Sequence, residues 1–227
     1  MTTEQHTPAS IAASRVSRRG FLGGTAGAIG AGLVLAACGD DGGTTSGATT
    51  TRAGTAGTSP ATTVSGANDA KIASLAAGLE VLAVATYKAA LDAAGAGKIG
   101  TVPPAVATFA TTARDQHQKH LDAWNSVLTK AGAKAIDQPN ATLKPVVDAD
   151  FAKVTDVTGV ARLALKLEQI AAATYLSAIP LIGDKGAIEL AGSIQIIDMQ
   201  HAAILLYVLG EYPVPDIFAK TDLAVSA

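Results

Sequence analysis

The sequence predicts an all-α fold: a four-helix bundle built from two helix pairs joined by a long crossover. Three observations point there. Four long stretches rich in Ala and Leu are each bounded by helix start and stop signals. No segment sustains a period-two alternation with β-branched residues. The two halves of the helical region also resemble each other in sequence.

The first helix is expected from about Ala70 to Ala94, capped by Asn68 or Asp69 and stopped at Gly95. The second starts after Val102, with Pro103 and Pro104 in the first turn, where proline has no hydrogen bond to lose, and runs to about Lys130 before Gly132. The stretch from Ala133 to Val157 holds Pro139 and Pro145 and reads as the crossover. A third helix spans about Thr158 to Ile179, where Pro180 ends or kinks it. The fourth begins after Asp184 and continues to Leu209, ended by Gly210 and Pro213.

The segment Leu79-Glu80-Val81-Leu82-Ala83-Val84-Ala85-Thr86-Tyr87 matches Leu167-Glu168-Gln169-Ile170-Ala171-Ala172-Ala173-Thr174-Tyr175 at the Leu, Glu, two Ala, Thr and Tyr positions. In each half the next helix carries a polar pair three residues apart, His117 with His120 and Asp198 with His201. Such a duplication implies an approximate twofold axis, lined by equivalent residues.

Ahead of the bundle, residues 1–37 read as a targeting segment. Arg18 and Arg19, followed by an apolar, Gly-rich run, carry a twin-arginine export signature. The run is too short and too glycine-rich for a spanning helix of about 20 apolar residues. It ends in Leu35-Ala36-Ala37-Cys38, which resembles a bacterial lipobox with Cys38 as the lipidated residue. Residues 38–68 are mostly Gly, Thr, Ser and Ala with almost no large apolar side chain, a composition that cannot bury enough surface to order itself, so they read as a flexible tether. Residues 69–227 then form one domain, held extracytoplasmically at the membrane by its lipid. Cys38 is the chain's single cysteine, so the domain has no disulfide.

The whole chain has 17 basic and 19 acidic residues; removing Arg15, Arg18, Arg19 and Glu4 with the leader leaves 14 against 18, a net charge of −4. No basic patch is present to recruit nucleic acid, and the glycine-rich stretches lie in leader and tether rather than in a nucleotide-binding loop.

The chemistry concentrates in six side chains. Glu80 is the only charged residue between Lys71 and Lys88, and Glu168 opens an uncharged run that lasts to Asp184. A carboxylate in so apolar a stretch is costly unless paired, protonated or metal-bound. All three histidines beyond the leader fall in the two polar pairs, and residues three apart share a helix face. Tyr87 and Tyr175 follow their glutamates by two turns on the same inward face. They read as core tyrosines bonding across the bundle, or as redox-active neighbours of a metal. Trp124 reads as core packing, and Asp115, Arg114, Arg162, Lys166, Lys185, Glu189 and Glu211 as solvated.

Glu80, then His117-Gln118-Lys119-His120, then Glu168, then Asp198-Met199-Gln200-His201, resembles the ligand order of ferritin-like bundles. In these, each of two helices gives a Glu and each of the other two a Glu-x-x-His pair. The resemblance covers about residues 70–210. It extends to ferritin-like proteins of bacterial envelopes, with desiccation-related proteins a similar group. It implies a dinuclear centre of iron or manganese ligated by Glu80, His117, His120, Glu168, Asp198 and His201, suited to oxygen or peroxide chemistry or to metal handling. The chain departs from the family pattern where His117 and Asp198 stand for Glu. Three imidazoles among six ligands admit zinc or copper, a single ion, or none. The competing function is a non-catalytic envelope bundle for stress protection with a degenerate, metal-free site. A homodimer is compatible with either, whereas a storage cage is disfavoured by a lipid tether on every subunit.

Overall fold

The computed structural model describes residues 66–226. Arg18, Arg19, Cys38 and nearly all of the expected tether lie outside the described residues. Five helices follow in order: α1 Ala67–Gly95, α2 Pro104–Lys130, α3 Lys144–Phe151, α4 Val157–Ala178 and α5 Lys185–Val208, with a 3₁₀ turn at Ile179–Leu181 between the last two. No strand occurs among the described residues. α1 packs most extensively on α2 and α4 on α5, while α1 also faces α4 and α2 faces α5. Four long helices thus enclose one interior.

The helix boundaries follow local chemistry. Asp156 and Asp184 cap α4 and α5, each accepting a hydrogen bond from the backbone N–H three residues on (2.7 Å from Gly159 and 2.8 Å from Ala187). α2 starts at Pro104 and is followed by Gly132 at φ +78°, a conformation that favours glycine. Pro180 lacks an N–H for a helical bond, and there the chain tightens into the 3₁₀ turn.

Two expectations need correction. Asn68 and Asp69 do not cap α1, which begins at Ala67. Asp69 is buried and instead accepts two backbone hydrogen bonds, each 3.0 Å, from Gly183 and Asp184, while the Asn68 amide donates to the Leu181 carbonyl at 2.9 Å. The start of α1 is therefore fastened to the turn entering α5. Asp69→Ala leaves two backbone donors without their carboxylate. Chemical denaturation should show a loss of about 1–3 kcal/mol with unchanged helix content in the remaining folded state.

The crossover is also more ordered than its prolines suggest. Pro145 sits in the first turn of α3, where its missing N–H costs nothing. Asn140 accepts from the backbone of Thr142 and Leu143 just before it. The crossover is clamped at two points. The Asn125 side chain bonds both the N–H and the C=O of Ile136, at 2.7 and 3.0 Å. The Asn140 N–H donates to the Gly78 carbonyl at 2.9 Å, where a Cβ on Gly78 would stand 3.5 Å from the Asn140 nitrogen.

α1 is long and apolar enough to cross a membrane by length and composition, yet half of its most apolar window is buried inside the bundle. Glu80 near its middle is also enclosed. It is one of the core helices of the bundle.

Candidate metal centre

Interior positions of the four long helices bring the ligand candidates together. α1 contributes Glu80, α2 contributes His117 and His120, α4 contributes Glu168, and α5 contributes Asp198 and His201. All but His120, which is 13 % exposed, are essentially sealed from solvent. They form two overlapping groups whose potential ligand atoms lie within 4.8 Å of one another: His117, Glu168, Asp198 and His201, and Glu80, His117 and His120. His117 belongs to both.

His117 lies between the two glutamates. Its Nδ1 is 2.7 Å from Glu80 Oε2 and its Nε2 is 3.1 Å from Glu168 Oε1. Ionised carboxylates only accept, so both ring nitrogens donate and the ring is an imidazolium in this arrangement. His120 Nδ1 lies 3.6 Å from Glu80 Oε2, and His201 Nδ1 lies 3.3 Å from Glu168 Oε2.

The tyrosines cross the bundle. Tyr87, on α1, donates to Glu168 Oε1 on α4 at 2.6 Å, and Tyr175, on α4, donates to Glu80 Oε1 on α1 at 2.5 Å. Each glutamate is held by the tyrosine of the opposite half, as the internal repeat requires of a twofold axis. Trp124 breaks the symmetry. Its indole N–H donates to the Tyr175 hydroxyl at 2.8 Å, extending one side into a Trp124–Tyr175–Glu80 relay. Trp124 therefore does more than pack, which corrects the reading of it as core alone.

Two groups stand outside this network among the described residues: His120 Nδ1, which stays 3.6 Å from Glu80, and the Asp198 carboxylate. Asp198 is wholly buried, and neither carboxylate oxygen has a hydrogen-bond donor among the described residues. A buried carboxylate without a donor is among the most expensive arrangements a fold can hold. Protonation removes the charge but leaves an O–H with no acceptor. A cation between Asp198, Glu168, His117 and His201 removes the difficulty, and carboxylate with imidazole is a donor set that suits a divalent transition metal. The residues therefore fit a metal ion.

A model of the ferritin-like domain matches residues 68–211. The chain belongs to the ferritin-like domain family. No curated protein and no solved structure matches it. Within this ferritin-like bundle the six candidate ligands occupy the interior of the matched region.

Gln116 is a participant that sequence reasoning passed over. Its Oε1 lies 2.6 Å from His201 Nε2, leaving Nδ1 of that ring directed at Glu168. A partner on the outer ring nitrogen fixes the orientation of a histidine ligand. The signal was faint, since Gln116 falls outside the three-residue spacing of the ligand pairs. Asp115 is exposed, as expected, and pairs with Arg114 at 2.7 Å.

The charges shape the titration of the interior. Burial would push His117 down, but the carboxylates of Glu168 and Glu80 against its two nitrogens hold it well above the usual imidazole value of 6.5. Burial would raise Glu168, yet His117 and His201 hold it down to about 2, and Glu80 is lowered by His117 and His120 against the same burial. Asp198 goes the other way. Burial and the charges of Glu80 and Glu168 raise it well above 3.8.

A defined pH profile follows for the metal-free chain. Stability from Glu80 and Glu168 is present above about pH 4.5 and disappears as pH falls through their lowered values. Stability from His117 is fully present below pH 6.5 and is lost as pH rises through its raised value. The cost of ionising Asp198 grows above pH 3.8 and adds to the alkaline decline. Thermal melts in chelator are expected to peak at about pH 4.5, where the glutamates are ionised, then to decline, more steeply above pH 6.5 as His117 joins Asp198. A melting temperature that rises steadily to pH 8 would contradict this assignment of charges.

Proposed function

We propose that this ferritin-like protein is a lipid-anchored, extracytoplasmic metalloprotein whose centre holds two iron or manganese ions and reduces dioxygen or peroxide. The observation that carries the proposal is Asp198, a buried carboxylate with no donor among the described residues, gathered with His117, Glu168 and His201 within 4.8 Å. Bound redox metals would supply the electrons for oxygen or peroxide reduction. The chain's own residues do the rest. Glu80, Glu168 and Asp198 provide hard oxygen ligands, while His120 and His201 provide nitrogen ligands. Tyr87 and Tyr175 orient the two glutamates, and Gln116 orients His201. Burial pushes both tyrosine hydroxyls well above 10, and the carboxylates beside them add to the shift, so these groups stay protonated donors.

A small substrate suits the surroundings. An apolar cavity of about 30 Å³ reaches His117 and Glu168 between Leu79, Leu82, Leu163 and Leu167. That is room for a molecule of water or dioxygen size and for little more. Membrane attachment rests on Cys38 within its lipobox-like segment, and export on Arg18 and Arg19.

Elemental analysis of protein purified from its own membrane is the direct test. About two ions per chain and turnover of peroxide or dioxygen are expected. Metal absent from the purified protein, with no rise in melting temperature on adding iron(II) or manganese(II), would refute the proposal. A second reading has its own observation. The His117 imidazolium already satisfies Glu80 and Glu168 without metal, at 2.7 and 3.1 Å. That arrangement suits a non-catalytic stress-protection bundle, and it predicts ligand variants that keep the protein's function.

A further inference from the structure

We propose that His117 bridges the two metal positions through both of its ring nitrogens, so that the ions are joined by an imidazole ring rather than a carboxylate. The assignment rests on the metal-binding function proposed for this centre. The two ligand groups share a single residue, His117. Its nitrogens face opposite ways, Nδ1 toward the Glu80 and His120 group and Nε2 toward the Glu168, Asp198 and His201 group. The ring is buried and cannot readily swing aside. It stacks on Tyr87, with centroids 5.7 Å apart and planes 23° from parallel, and meets His120 edge-on at 5.6 Å.

Charge balance points the same way. Two divalent ions bring four positive charges into a largely buried site. Glu80, Glu168 and Asp198 supply three negative charges, and a ring metallated at both nitrogens supplies the fourth. A neutral histidine on one ion alone would leave an uncompensated buried charge, which is costly. On loading, the two N–H bonds of the imidazolium break. The electron pairs remain on the nitrogens to form the two nitrogen–metal bonds, and both protons leave to solvent.

The geometric consequence is a wide metal pair. Nitrogen–metal bonds of about 2.0–2.1 Å on either side of a five-membered ring set the ions about 6 Å apart. Carboxylate- or oxygen-bridged pairs lie roughly 3.5–4 Å apart.

The test is anomalous diffraction at the zinc edge from crystals of the full chain in detergent, loaded with zinc(II) as a redox-inert probe. Two zinc peaks about 6 Å apart, one on each side of the His117 ring, are expected. A pair about 3.5–4 Å apart, or a single peak, overturns the bridge while leaving metal binding intact. No bound zinc in protein that also carries no iron or manganese overturns the metal-binding function itself. In solution, His117→Ala should reduce bound zinc from two ions per chain to one, because Glu80 and His120 alone make too few ligands. Added free imidazole should restore the second ion. A folded variant, by circular dichroism, that still binds two ions without imidazole overturns the bridge. If the alanine variant does not fold, the diffraction experiment on the natural chain decides.

Discussion

Glu168→Ala is expected to lower the melting temperature by roughly 10 °C. The wild-type carboxylate accepts from the Tyr87 hydroxyl at 2.6 Å and faces Nε2 of His117 at 3.1 Å and Nδ1 of His201 at 3.3 Å. Its removal takes one of the two carboxylates from the buried His117 imidazolium, leaving Nε2 unpaired, and leaves the Tyr87 hydroxyl with no acceptor. Removing one partner of a buried charge pair costs about 3–5 kcal/mol. For a domain of this size each kcal/mol corresponds to about 2–4 °C. Tyr87→Phe removes a single donor and should cost only about 1 kcal/mol. Calorimetry on both variants separates the charge effect from the hydrogen bond. Equal losses would mean that Glu168 is not the anchor of the His117 ring.

Asp198→Asn has an effect whose sign depends on metal. In chelator the variant should be more stable than wild type by about 1–3 kcal/mol, because an unpaired buried carboxylate is replaced by a neutral amide of the same shape. With iron(II) or manganese(II) present the order should reverse, since the amide is a poorer ligand and the wild type gains binding energy that the variant lacks. Parallel melts with and without metal check both halves. A variant that is less stable under both conditions would place Asp198 in an ordinary structural role and remove the main support for metal at this centre.

Much of this was legible in the sequence, for physical reasons that differ by residue. The helices were readable because Ala- and Leu-rich stretches end at Gly95, Gly132, Pro180 and Gly210, which act through their own backbones. The glutamates stood out because no other charge shares their stretch of helix. Asp69 reads as a cap in the sequence because a cap and a distant clasp use the same acceptor. Nothing local says that its donors are Gly183 and Asp184. The short helix α3 was hidden by Pro145, whose meaning reverses between helix interior and first turn. The hydrogen bond from Trp124 to Tyr175 and the hold of Gln116 on His201 depend on side chains from different helices meeting, which no spacing rule encodes. His117 was visible as a departure from the family pattern. Its position between both glutamates was not, because that requires the relative depth of α1, α2 and α4.

The crossed tyrosines bear on how the chain folds. Tyr87 finds its acceptor 81 residues away, and Tyr175 finds its acceptor 95 residues away in the other direction. A helix pair formed by itself would leave its glutamate without the tyrosine donor that the other pair supplies, and its own tyrosine with no carboxylate to donate to. Neither pair can lower its energy fully until the other docks. The two halves, despite their likeness in sequence, should therefore melt as one cooperative unit.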